Sequence, residues 1–511
     1  MESLSSSQAP SECRFLFSAR FLIALFLFCE TVATYVHMAN LSFALVCMVD
    51  TPEDGDAMAR DNGTAAELTL PTNENHSLLG MSEVYDQAEF TWSKSTQATL
   101  LAAFYLGSFV MMLPAVRLCE HFEAKTVMMW SGLVLAVTAF LSPISARWRV
   151  GLFVLLRFVG GMALACIYPT RYVYSARWVT PVERSKIAAS LHCGLYGGVV
   201  VAFLGSGFLC PLLGWPSVFY ATGLCSLISC LITWKWITDG PHESRWISPA
   251  EQRYILSATH GQVSNSRKRL PTPWLAIIRS PPVWAQAMSH STCHFGSYMM
   301  MTELPTYMKE SLGFGERENS YLSSATYVTN CVSLLTTGYL ADWLMQRGRL
   351  TGITVRKLMN AIAELGLGLS LVAAGYCSAT QRYLAVISIA VGQALFGAQA
   401  SGRTANAIDM APAYAGAVGS ATNWLAVGSG ALCPYVASSL APDGTAEQWR
   451  SVFWLTAGVL ALGAAFFAAL ASSDIQPWAR LPADHDELIG GDPAVSDHDS
   501  DRDRISGYRS L

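Results

Sequence analysis

A few ionisable side chains stand inside long apolar stretches of this 511-residue chain, and any chemistry it performs has to run through them. In the bilayer interior a charge costs about 2.5–3.5 kcal/mol even on a lenient scale, so each needs a partner, water or a task. Arg157 lies seven residues into the run that opens at Val150. An arginine can hold a carboxylate or phosphate through two parallel hydrogen bonds, which makes Arg157 a candidate anion-binding group; a structural ion pair is the alternative. Glu30 and His37, two helical turns apart, share a face of the first run, and His290 and His294 share a face of a later one. Glu30 and His37 are candidate coupling groups, and the histidines could respond to an acidic compartment; for each histidine the alternative is a hydrogen-bonded core residue. Zinc would want a further ligand beside the histidine pair, so no metal site is expected. Glu303, Glu364 and Arg403 complete the set, with Arg403 expected near enough to a span end for its side chain to reach water. Tyr35, Tyr168, Tyr196 and Tyr298 offer hydroxyls to a cavity or rings to helix packing.

The elements that must position these residues are membrane-spanning helices. Hydrophobic residues make up 52% of the chain and charged residues 14%, against about 25% charged in a soluble domain. A span needs about 20 apolar residues, and such windows recur at 21–46, 97–116, 126–143, 150–170, 187–210, 216–237, 283–303, 320–340, 356–376, 383–403, 415–437 and 452–472. This pattern predicts an all-α polytopic protein of twelve spans. Its parts are an N-terminal tail (1–20), a six-helix half (21–237) with a polar loop at 50–95, a linker (238–282), a second six-helix half (283–473) and a C-terminal tail (474–511). The first run is too long for a signal-peptide core and has no A-x-A-like site close behind it, so it reads as a retained span.

Composition also excludes other classes. The net charge of −4 comes with no basic stripe for nucleic acid. Most of the thirteen cysteines lie inside apolar runs, where they act as small hydrophobes. No H-E-x-x-H, Walker A or G-x-S-x-G arrangement marks an enzyme.

Loop chemistry sets the orientation. Arg177, Arg184 and Lys186, then Arg267, Lys268 and Arg269, then Arg347, Arg349, Arg356 and Lys357 all fall on one side, which predicts cytoplasmic termini. The acidic loop on the other side holds the sequons Asn62-Gly63-Thr64 and Asn75-His76-Ser77, so Asn62 and Asn75 are candidate lumenal or external glycosylation sites. Gly338-Tyr339-Leu340-Ala341-Asp342 followed by Arg347 has a degraded counterpart in Pro114 to Glu120 followed by Lys125. Small residue, leucine, acid and base at a helix junction resembles the gating loop of the major facilitator superfamily, in which glycine admits a close helix approach.

Further residues narrow the resemblance. Tyr168-Pro169, the run Ser175-Ala176-Arg177-Trp178-Val179-Thr180-Pro181-Val182-Glu183-Arg184-Ser185-Lys186, then Pro241, Glu251 and Tyr254 resemble the anion transporter family of sialin, the vesicular glutamate transporters and the type I sodium-phosphate cotransporters. Pro305-Thr306-Tyr307-Met308-Lys309-Glu310, Asn406 with Asp409, and Ile475-Gln476-Pro477-Trp478 extend the likeness, nearest to the sialin and phosphate branch. The resemblance implies transport of small anions, such as sialic acid, acidic amino acids, phosphate or urate, by alternating access. Coupling would be to protons, sodium or membrane potential, without a cofactor. It also implies that Arg157 faces a central cavity, with His37, Tyr168, His290, His294 and Asn406 as candidate substrate contacts.

The chain departs from the family at four positions. Charged or titratable residues expected in spans one, two, four and seven fall at Met38, Leu101, Leu164 and Cys293. Leucine cannot carry a proton, so Leu164 implies dependence on membrane potential or sodium more than on a proton gradient. Arg403 is a non-family positive charge that could replace those lost at Met38 and Cys293, although snorkelling is the preferred expectation. The losses also keep open a transporter-like receptor or scaffold that no longer transports. In the polar tail, Asp484-His485-Asp486-Glu487-Leu488-Ile489 resembles an acidic dileucine signal and Tyr508 to Leu511 a terminal tyrosine signal. They imply a clathrin adaptor and an endolysosomal or vesicular membrane address.

Overall fold

The computed structural model describes residues 18–49, 88–244, 247–264, 272–348 and 350–480, and these are almost wholly helical. A first group comprises α1 (Ala19–Met48), α2 (Lys94–His121), α3 (Ala124–Trp148), α4 (Val150–Trp178), α5 (Pro181–Leu213) and α6 (Pro216–Trp236). Two short helices, α7 (Pro249–Ser264) and α8 (Trp274–Arg279), lead to a second group. That group holds α9 (Pro281–Glu310), α10 (Glu316–Gln346), α11 (Gly352–Gly375), the interrupted rod α12 (Arg382–Phe396) with α13 (Arg403–Met410), the interrupted rod α14 (Ala415–Gly430) with α15 (Cys433–Leu440), and α16 (Ala446–Leu470). Within the first group α2 packs on α4, α1 on α5 and α3 on both α4 and α6; within the second α16 packs on α9 and α11, and α10 on α12. The seam between the groups is mainly α5 on α10, with α2 against α14 and α15.

Local chemistry starts these helices. The hydroxyls of Ser18, Ser93, Thr351 and Thr445 accept amides of the first turns of α1, α2, α11 and α16, groups that otherwise lack a partner. Pro181, Pro216 and Pro281 open α5, α6 and α9, where a missing N–H costs nothing.

Among the described residues, nine helical stretches are long and apolar enough to cross a membrane, with Ala379–Met410 counted as one. The other three rods are α9, α10 and α14 with α15. Their polar residues turn into protein: Ser289, Asn319, Ser323, Thr326, Asn330 and Thr422 are all buried. Such groups find partners in a bundle that lipid cannot supply. Hydropathy also undercounts length, because it stops where polar residues begin; α4, expected to end at 170, runs on to Trp178.

Glycines set the tightest crossing. A Cβ on Gly161 would strike the Phe104 carbonyl, and one on Gly107 the Phe158 carbonyl, so α2 and α4 touch backbone to backbone. Ser108 closes the contact by donating to the Gly161 carbonyl at 2.9 Å. This crossing aims Phe104 at Arg157.

At the basic end, the family-like motif is a clasp. Arg20 binds Glu183 at 2.6 Å and Glu251 of α7 at 3.2 Å, and its guanidinium lies 4.8 Å from the centroid of Tyr254. Asp239 takes Arg177 at 3.4 Å and the Lys125 amide at 3.1 Å. The linker is thereby tied to the first group. At the opposite end, Glu89 receives Arg147 at 2.7 and 3.0 Å and the Trp215 indole at 2.8 Å. The Arg147 guanidinium holds the Glu89 carboxyl below its usual range.

Candidate functional site

α4 carries two buried arginines fourteen residues apart, Arg157 and Arg171, with Leu164 between them in the apolar core. Arg157 donates to the His37 carbonyl at 3.4 Å and to Asn40 Oδ1 at 3.3 Å, and lies 4.4 Å from the centroid of Phe104. Its Nε has no partner among the described residues. Beside it is a small cavity, with room for about one water, lined by His37, Asn40, Thr138, Ser142 and Phe219 among others. Every lining residue belongs to the first group. The guanidinium therefore sits within that group, one layer behind the seam, where the Tyr105 ring lies tilted against Tyr298 with centroids 4.8 Å apart.

Glu30 and His37 share a face as their spacing predicts, and that face meets α6. Glu30 accepts the Ser229 hydroxyl, and His37 Nε2 pairs with Ser226 Oγ at 2.5 Å. Asn40 extends the ladder to Thr222 at 3.3 Å. Arg171 donates to the Glu30 carbonyl at 3.2 Å and to Thr34, and its Nε lacks a partner. Sequence reasoning passed over Arg171 because the expected span stopped one residue short of it. Its fourteen-residue spacing from Arg157, four turns on one helical face, was the signal.

Tyrosines gather at the seam. Tyr168 donates to Tyr35 at 3.4 Å, and Tyr35 lies within electrostatic range of Tyr196 and Tyr298. His290 and His294 face each other with ring centroids 4.5 Å apart; His290 pairs with Thr422 at 3.0 Å, and His294 sits edge-on to Tyr298 at 5.2 Å. Among the described residues no three His, Cys, Asp or Glu side chains converge as a metal would need. Asn406 is fully buried, and among the described residues neither polar atom of its amide has a partner.

Arg403 corrects an expectation. It does not snorkel: it is 5% exposed and donates to Gln399 Oε1 at 3.1 Å. The rod breaks at the 3₁₀ turn Gly397–Ala400, so Arg403 opens α13 inside the bundle instead of reaching its rim. It interacts with Cys293, the span-seven position that lacks the family charge. Met38, Leu101 and Leu164 are likewise buried.

The gating-loop residues are mostly helical. Gly338 and Asp342 lie in α10, Arg347 caps it with its guanidinium 3.8 Å from the Trp343 ring, and the space beside Gly338 is open, without the close approach expected there. Asn62, Asn75, Asp484, Leu488, Ile489, Tyr508, Leu511, Arg267 to Arg269 and Arg349 lie outside the described residues.

A helical bundle with buried arginines on either side of a seam is the architecture of a membrane transporter. The D-xylose-proton symporter has the same fold, with a TM-score of 0.62 at 14% identity, over 89% of this chain and 99% of that one. Residues 72–363 match the model of the Major Facilitator Superfamily. Human sialin (Homo sapiens) is 32% identical over 466 residues, 90% of this chain and 91% of that one. Vesicular glutamate transporter 1 of Xenopus laevis is 28% identical over 428 residues, 82% and 73% of the two chains. The chain belongs to the Major Facilitator Superfamily and, within it, to the anion transporter family of sialin and the vesicular glutamate transporters. It is a multi-pass membrane protein of a transporter family, not an enzyme.

Proposed function

We propose that this protein carries a small organic or inorganic anion across an endolysosomal or vesicular membrane by alternating access, with Arg157 as the anion-binding group of the first half. The observation that supports this is the buried Arg157 guanidinium: two of its contacts are a carbonyl and an amide oxygen, its Nε has no partner among the described residues, and a small cavity lined in part by His37, Asn40, Thr138 and Ser142 lies beside it. A carboxylate or phosphate there would gain charge-assisted hydrogen bonds in a site poor in water. The candidate substrates are sialic acid, acidic amino acids, phosphate and urate. On this reading His37, Tyr168, His290, His294 and Asn406 are the further substrate contacts.

In proteoliposomes, uptake of at least one of these labelled anions is expected of the wild type, and Arg157→Ala should lower it by about a hundredfold, as removing one partner of a buried charged pair implies. Unchanged uptake by a well-folded Arg157→Ala protein would remove this residue from the site. For the address, a chain ending at residue 480 lacks Asp484, Leu488, Ile489, Tyr508 and Leu511 and should shift to the cell surface. Its retention in acidic organelles would argue against a sorting role for the tail and against a clathrin adaptor as partner. Glycosylation at Asn62 and Asn75 belongs to the same reading, since it places that loop in the lumen.

A further inference from the structure

The second half contains a buried acid and a buried base, one thiol apart, that the Arg157 site does not use. Glu364 is fully buried in α11. Its Oε1 accepts Ser289 at 2.6 Å, Cys293 at 3.2 Å and Asn360 at 3.3 Å, while its Oε2 has no partner among the described residues. Cys293 meets Glu364 on one side and Arg403 on the other. Among the described residues the Nε of Arg403 has no partner, and neither has the amide of Asn406, one turn further along α13. Arg403 also opens α13, just past a break in its rod. Gln399 connects this cluster to the seam, accepting from Arg403 at 3.1 Å and donating to the Tyr196 hydroxyl at 2.8 Å. Arg157 and Arg403 belong to the fourth rod of their respective groups.

We propose that Arg403, Asn406 and Glu364 form a second, proton-gated anion subsite, which takes a carboxylate or phosphate on Arg403 when Glu364 is protonated. The inference rests on the anion-transport reading above. With Glu364 ionised, its charge compensates Arg403 across the Cys293 thiol. A proton that reaches the unpartnered Oε2 forms an O–H bond there, and the compensating charge disappears. An anion then takes the place of that charge beside Arg403, so the net charge of the cluster is unchanged. Departure of the anion favours release of the proton. Because linkage is reciprocal, each species raises the affinity for the other, and the two travel in the same direction.

The groups acting on Glu364 are Cys293 of α9 and Arg403 of α13, with the neutral Ser289 and Asn360. Those acting on Arg403 in turn include His290, His294 and Cys293 of α9 and Tyr196 of α5, with His192 of α5 beside the two histidines. From α16, Gly463 packs against Glu364 Oε2, and the ionisable residues of α12 and α16 are confined to their first five positions. No second acid therefore competes for the proton from those two helices. On this proposal the carrier missing at Leu164 is supplied from the other half, in place of the dependence on membrane potential or sodium more than on a proton gradient that Leu164 implies.

The test uses proteoliposomes, labelled sialic acid, glutamate, phosphate and urate as probes, and a pH gradient imposed with the voltage clamped. The wild type should accumulate at least one probe. Glu364→Gln, close in shape and always neutral, should lose gradient-driven accumulation by about tenfold or more, while its exchange between equal solutions becomes independent of pH. Glu364→Asp should keep the response to the gradient, and Arg403→Gln should raise KM by about tenfold. Undiminished accumulation by Glu364→Gln overturns the inference and leaves the Arg157 reading standing, as does wild-type uptake that ignores the pH gradient. Absence of flux of every probe overturns both.

Discussion

At Arg157 one side chain is held firmly without being used up. The carbonyl of His37, the amide oxygen of Asn40 and the face of Phe104 fix its position. A cation over an aromatic face contributes about 0.5–2 kcal/mol, less than the cost of a full charge in lipid, so a bound anion has much left to offset. Glu89 carries the clearest pH dependence outside the spans. Its folded pKa is depressed, first by the Arg147 hydrogen bond, so its stabilisation is complete above the ordinary carboxylate value of about 4.3 and is lost as the pH falls through the lower folded value. The melting temperature of Glu89→Gln should therefore trail the wild type by a constant small margin from about pH 7 to 5, and the margin should shrink as the pH falls below the ordinary carboxylate range. A margin that closes already at pH 5 would mean that Arg147 does not hold the carboxylate ionised. Arg157 and the shared faces of Glu30 with His37 and His290 with His294 were legible from residue type and helical spacing. The partners were not: nothing in the sequence says that Glu30 and His37 face Ser229 and Ser226 across to α6.

The helices place these residues through close crossings and breaks. Gly161 allows α4 to reach the α2 backbone beside Phe104, and any side chain there must push the helices apart. Gly161→Ala should lower the melting temperature by several degrees, in line with an overpacking cost of about 1–3 kcal/mol. Gly151→Ala, with nothing near its added methyl group, should leave it unchanged. Equal melting temperatures for the two variants would contradict the crossing. Hydropathy found the apolar rods well, and their ends poorly. It hid Arg171 by stopping at 170, and it drew one span over 383–403 where the chain breaks at Gly397–Ala400 and restarts at Arg403. Such a break lines protein, not lipid, and leaves no mark in an averaged hydrophobicity.

Over the whole molecule, the two groups meet along aromatic and polar contacts that can part. Lys94 pairs with Glu310, Lys309 donates to the Val46 carbonyl at 2.9 Å, and Trp424 lies stacked on Phe109 at 4.8 Å. The family-like segment Pro305 to Glu310 therefore helps to close the acidic-loop end, whereas the Arg177 to Glu183 segment clasps the basic end. The class of fold was readable from the repeat of apolar windows and the motif order. The partnership of Arg403, Cys293 and Glu364 was not, because it joins three rods distant in sequence. The central claim is that an anion is held by Arg157. Equilibrium binding of labelled sialic acid, glutamate, phosphate and urate to the purified protein tests it most directly. Arg157→Lys keeps the charge but loses the planar fork, so the affinity for the bound probe should fall by about tenfold or more, and Arg157→Ala should abolish binding. Wild-type affinity in both variants would contradict the account.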